Sequence, residues 1–95
     1  MFRHVVCFRL KPEEKGKAIE AKQRMETLTA ISEVRNIEVG LDSLQSPRSY
    51  DIILIVDFDN MEDYKAYDVH ELHQPVRQFM RSIIESSVAV DYERA

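Results

Sequence analysis

From Tyr50 to Phe58 the chain sets apolar side chains at successive positions, Ile52-Ile53-Leu54-Ile55-Val56, most of them β-branched. Such a run favours a pleated strand over a helical turn of the same length. Alternate side chains of a strand point to opposite faces, so Ile52, Leu54, Val56 and Phe58 need cover on one side and Ile53 and Ile55 on the other. Phe2 to Leu10 has the same character, with His4, Val6 and Phe8 on one face and Val5 and Cys7 on the other. Both segments read as central strands. Val34 to Leu41 instead alternates Ile37, Val39 and Leu41 with Asn36, Glu38 and Gly40. Ser86 to Tyr92 likewise alternates Val88, Val90 and Tyr92 with Ser87, Ala89 and Asp91. These two read as edge strands.

Between the strands the apolar period changes to that of a helix. Pro12, with Glu13 and Glu14 behind it, suits a helix start, and Ala18, Ala21, Met25 and Leu28 continue at helical spacing to about Thr29. Asp42 to Ser49 is turn chemistry throughout and predicts a loose hairpin into the third strand. Asn60, with Asp63 three residues on, reads as the N-cap of a short helix through Met61, Tyr64 and Tyr67. Pro75 cannot donate in the interior of a helix, which predicts a break between Asp68 and Pro75. Leu72, Val76, Phe79, Met80 and Ile83 form the helical stripe around and beyond it.

The order β-α-β-β-α-β, with continuous strands first and third and alternating strands second and fourth, predicts an α+β, ferredoxin-like domain over residues 1–95. Its four-stranded antiparallel sheet has the order 4-1-3-2. Right-handed crossovers place both helical layers on one face and leave the other bare. Val5, Cys7, Ile53 and Ile55 lie on that bare face, and a monomer seldom exposes an apolar patch beyond roughly 300 to 600 Å². Pairing of two sheets face to face in a homodimer is the expected cover.

Composition narrows the function classes. Hydrophobic residues make up 44% of the 95 and charged residues 32%, values of an ordinary globular protein. The net charge of -4 argues against a general grip on a nucleic-acid backbone. One cysteine, Cys7, permits no intrachain disulfide framework and reads as packing in an apolar run. The N-terminal run carries charges and no small-residue cleavage site, and no apolar segment approaches the roughly 20 residues that span a bilayer. A cytoplasmic location with no membrane association is therefore expected.

Three histidines supply the candidate chemistry. His4 shares its strand face with Val6 and Phe8, and His70 and His73 flank the helix break three residues apart. Tyr67 stands three before His70, so the two look inward together if the helical turn continues. Imidazoles and a phenol on an apolar background can move protons near neutral pH. The plainer alternative is that the histidines are structural and Tyr67 simply fills the core. A His-x-x-His pair supplies two metal ligands, and no cysteine or acidic cluster completes the set, so no metal is expected. Two glycines in the whole chain leave no phosphate-cradling loop, and no cofactor is expected either.

The chain resembles the stress-responsive dimeric α/β-barrel family, often called Dabb. The resemblance is carried by Arg3-His4-Val5-Val6-Cys7-Phe8-Arg9-Leu10-Lys11, by Gly40 with Ser43 or Ser46, and by Tyr50-Asp51 opening an apolar strand. Phe58, Tyr67, His70, His73 and the closing Val90-Asp91-Tyr92 then follow in the family's order. It implies a ferredoxin-like protomer pairing into a dimeric barrel, with a pocket between sheet and helices for a small hydrophobic ligand. Some plant members of the family are polyketide cyclases that carry out an aldol condensation without a cofactor. By that likeness Tyr67 and His73 match the catalytic pair and His4 a substrate-binding histidine, with His70, Ile52 and Phe8 as further substrate-binding positions. Two positions depart from the cyclases: Ile52 stands where they have histidine, and His70-Glu71 replaces a frequent His-Pro step. The first removes a polar contact to substrate. A non-catalytic stress or assembly module is the alternative, and it implies a core filled beside His4.

Overall fold

The computed structural model describes residues 1–95 and places nine elements along the chain. Strand β1 (Phe2–Leu10) is followed by a 3-10 segment (Pro12–Lys17), helix α1 (Ala18–Glu26) and a second 3-10 segment (Thr27–Ala30). Strands β2 (Asn36–Leu41) and β3 (Ile52–Phe58), helices α2 (Met61–Asp68) and α3 (His73–Ile83), and strand β4 (Ile84–Glu93) complete it. The sheet order is β2-β3-β1-β4 and every neighbouring pair is antiparallel. The two strands with continuous apolar runs are the central ones.

Burial follows the parity of the side chains. Ile52, Leu54, Val56 and Phe58 face the helices at 2%, 4%, 0% and 0% exposure. They pack with Met25, Leu28, Ile31, Tyr67, Met80 and Ile83 in one apolar core. Burying a large side chain of this kind contributes about 1.5 to 3 kcal/mol. Ile53 and Ile55 on the opposite face are only half-buried. The registers Val5↔Ile55, Cys7↔Ile53, Val5↔Val90 and Cys7↔Val88 put them in one patch with β4. Val88, Val90 and Tyr92 are 51%, 65% and 43% exposed there.

Two elements, the first helix and β2, differ in extent from the sequence expectation. The first helix is not continuous from Pro12 to Thr29: its opening six residues take the tighter 3-10 form and its end does so again. Gly16, which loses more backbone freedom in a helix than any other residue, sits in the opening piece. The break before α3 falls between Asp68 and His73, inside the interval expected from Pro75. Pro75 is the third residue of α3, within the first turn, where a backbone N–H has no helical partner to lose. Strand β2 begins at Asn36 because Val34 N–H is taken by the Ile31 carbonyl in a turn, at 3.0 Å.

Local hydrogen bonds fix the ends of the elements that carry the site. Asn60 caps α2 by accepting from Asp63 N–H at 2.9 Å. Asp51 accepts from Leu10 N–H at 2.7 Å and from Lys15 Nζ at 3.0 Å, tying the end of β1 to the start of β3. Asp57, the one buried polar residue, lies on the open face and is held by Arg3, with Nε to Oδ1 at 2.8 Å and Nη2 to Oδ2 at 3.0 Å.

Candidate functional site

A cavity of about 240 Å³ lies between the helix-facing side of the sheet and helices α2 and α3. Small-molecule pockets run from roughly 300 to 1,000 Å³, so this one suits a compact ligand. His4, Val6 and Phe8 form its strand wall, since residues two apart on β1 share a face. Tyr64, Tyr67 and Asp68 line it from α2, and His73, Arg77 and Arg81 from α3. The last three are spaced by four residues, one helical turn apart, and so share the stripe that faces the sheet.

Four of the six residues singled out from sequence meet here: His4, Phe8, Tyr67 and His73. The ring centroids of Tyr67 and His73 are 4.4 Å apart, and those of His4 and Tyr67 are 6.4 Å apart. His70 and Ile52 do not line the cavity. The turn does not continue beyond Asp68, and His70 is used locally: its Nδ1 accepts from Leu72 N–H at 3.1 Å. Ile52 is a core residue paired across the ladder with Phe8.

Polar contacts orient the imidazoles. His4 Nδ1 is hydrogen-bonded to Asp91 Oδ1, which stands directly opposite on β4. That leaves Nε2 as its free ring nitrogen. His73 Nδ1 lies 3.2 Å from the Tyr67 carbonyl oxygen. Burial pushes the His73 pKa down, with the Arg77 cation acting the same way, so the ring is neutral at pH 7. Burial also raises the phenol pKa of Tyr67 and, less far, of Tyr64, so each is a neutral donor. The Tyr67 hydroxyl is fully buried and has no hydrogen-bond partner. Leaving such a group unpaired costs about 1 to 3 kcal/mol.

The sequence reading missed Tyr64, whose ring centroid is 4.8 Å from that of His4. It also missed Asp91, Asp68 and Arg77. The alternation of β4 set Asp91 on the face opposite Val88, Val90 and Tyr92, but only the ladder register puts it across from His4 on the helix side. Asp68 and Arg77 pair across the helix break, with Arg77 Nη2 at 2.5 Å from Asp68 Oδ1. No group of three or more His, Cys, Asp or Glu side chains converges as a metal site.

A four-stranded antiparallel sheet with helices on one side and a pocket between the layers defines a ferredoxin-like α+β protein. The chain belongs to the stress responsive A/B barrel domain family, whose sequence profile matches residues 2–94. Among solved structures it is similar to a dimeric protein of unknown function and ferredoxin-like fold from Bacteroides fragilis. That likeness has 36% identity, a TM-score of 0.85, and covers 98% of this chain and 95% of the other. It is also similar to a Dabb family protein with a ferredoxin-like fold from Mesorhizobium loti, at 26% identity and TM-score 0.75, covering 99% and 96%. An antibiotic biosynthesis monooxygenase shares the fold alone, at 10% identity and TM-score 0.81, covering 100% and 99%. No curated protein sequence matches the chain.

Proposed function

We propose that the protein is a homodimer paired through its open sheet faces, each protomer holding a pocket for a small apolar carbonyl compound. In that pocket it carries out proton transfer without a cofactor, as a cyclase or lyase would. The observation that carries this is the Tyr67 hydroxyl, buried and unpartnered in a cavity that also holds two imidazoles. A ligand oxygen would supply the partner it lacks, reached once the side chains over the hydroxyl give way. A structural role for the histidines would leave the core filled beside His4, and the cavity there counts against it. The dimer is supported by the exposed Val88, Val90 and Tyr92 beside Ile53 and Ile55, and by the dimeric description of the Bacteroides fragilis relative.

In the reaction the neutral His73 takes a proton from the carbon next to a carbonyl group. The C–H electron pair moves to the carbonyl oxygen, and the enolate so formed accepts a hydrogen bond from the Tyr67 hydroxyl. If the ligand carries a second carbonyl, the enolate carbon adds to it and closes a ring. The resulting alkoxide takes back the proton held by His73, so atoms and charge balance. His4, aimed by Asp91, fixes the ligand through Nε2. The apolar walls, Val6, Phe8, Leu54 and Val76 among them, exclude water.

Deuterium exchange into an aryl alkyl ketone in D2O tests the proton transfer directly. His73→Ala should lose the catalysed exchange, a fall of roughly 10²- to 10⁴-fold for a general base. Tyr67→Phe should lose about 10²- to 10³-fold, the effect of one oxyanion donor. Tyr67→Phe should at the same time keep or raise the urea midpoint, because the unpaired hydroxyl is removed. Exchange at the wild-type rate in both variants would refute the assignment.

A further inference from the structure

We infer that Asp68 and Arg77 are positioning residues: by occupying each other they fix which ring nitrogen of His73 carries the proton. Two groups approach His73 Nδ1 and ask for opposite tautomers. The Tyr67 carbonyl oxygen at 3.2 Å can only accept, which requires Nδ1–H. Arg77 Nη2 at 3.3 Å can only donate, which requires a bare Nδ1.

Counting hydrogens decides between them. A guanidinium Nη carries two hydrogens. Asp68 takes both from Arg77 Nη2, one on its backbone carbonyl at 2.9 Å and one on Oδ1 at 2.5 Å. None is left for the longer contact to His73. The Tyr67 carbonyl already receives the N–H groups of Val69 and His70, the latter at 3.1 Å, but an acceptor oxygen can be shared with a further donor, whereas a nitrogen with no hydrogen left cannot donate. The proton therefore sits on Nδ1, and Nε2 presents a lone pair. Remove the Asp68 carboxylate and one Nη2 hydrogen is released four residues along the same helix, within reach of Nδ1. The tautomer then reverses, and Nε2 becomes an N–H that can accept no proton.

The arrangement also holds a cation beside the ring. The charged and titratable groups facing His73 are Tyr67 and Asp68 on α2 and Arg77 on its own helix, with His4 on β1 beyond Tyr67. Arg77 is the only permanent positive charge among them. It favours the neutral ring, so the pair sets both the protonation state and the end of the imidazole that acts as a base.

The consequence for catalysis rests on His73 being the base; the tautomer itself does not, and the two are measured separately. Two-bond 1H–15N correlation spectra of the labelled protein distinguish Nδ1–H from Nε2–H imidazole. The wild-type protein should show His73 as Nδ1–H. Asp68→Ala should convert it to Nε2–H, whereas Asp68→Asn, which keeps the Oδ1 acceptor, should retain Nδ1–H. Arg77→Met should also retain Nδ1–H but move the His73 titration upward, toward the ordinary value of 6.5. Nε2–H in the wild-type protein, or Nδ1–H in Asp68→Ala, overturns the inference. Ketone exchange in the same variants then addresses the base: a tautomer that reverses in Asp68→Ala while exchange continues unchanged supports the positioning and removes His73 from the chemistry.

Discussion

Asp57 shows how much one residue depends on what lies across from it. In the strand Ile52–Phe58 it is the only charged position, and its carboxylate is 2% exposed on the open face of the sheet. The Arg3 guanidinium, hydrogen-bonded through two nitrogens, holds the carboxyl below its ordinary value of 3.8 against the opposing effect of burial. A lowered folded-state pKa means that the pair's contribution is complete above the unfolded carboxylate value and is lost as pH falls through the lower folded one. Urea midpoints at fixed protein concentration should therefore fall with acid below about pH 4, and the gap between wild type and Asp57→Asn should close over the same interval. A gap that stays constant through the acid limb would show that the ion pair does not stabilise the fold. The alternation of Ile52, Leu54, Val56 and Phe58 disclosed the core because parity is local. Arg3↔Asp57 and His4↔Asp91 were not legible in the same way, since each joins strands whose register no local pattern specifies.

At the level of elements, the helices that frame the pocket are set by their ends. Helix α2 has eight residues, too few to be stable without tertiary packing, and its cap is the single bond from Asp63 N–H to the Asn60 side chain. Asn60→Ala should cost about 1 kcal/mol in chemical unfolding. Because α2 carries Tyr64, Tyr67 and Asp68, ligand binding should weaken with it; unchanged stability would mean that the packing of Tyr67 holds the helix unaided. The cap was readable from Asn60 and Asp63 because it spans three residues. Where α3 begins was less so: Pro75 signals a break nearby, yet a proline is as well accommodated inside the first turn as before it. That difference decides the site, because starting α3 at His73 turns His73, Arg77 and Arg81 toward the sheet and leaves His70 in the connection.

For the whole molecule, the open sheet face determines the state of association. Val5, Cys7, Ile53, Ile55, Val88 and Val90 form a continuous apolar surface running from β3 across β1 to the edge strand β4. Sedimentation at micromolar concentration should give twice 11.1 kDa, and a cooperatively folded species of single mass would sink the dimer. Val90→Lys removes the burial of one aliphatic side chain, about 1.5 to 3 kcal/mol, and symmetry applies the loss twice. The dimer dissociation constant should rise roughly 10²- to 10⁴-fold.

Strand β4 belongs to both halves of this picture. One side of it carries Asp91, the anchor of His4, and the other carries Val88, Val90 and Tyr92; within a lone protomer nearly every one of its residues is exposed. A ribbon so thinly clad on its own is steadied by whatever presses on its outer side. Dilution that parts the two copies should thus slacken the grip on the His4 imidazole, and ketone exchange per chain should decline as the solution thins.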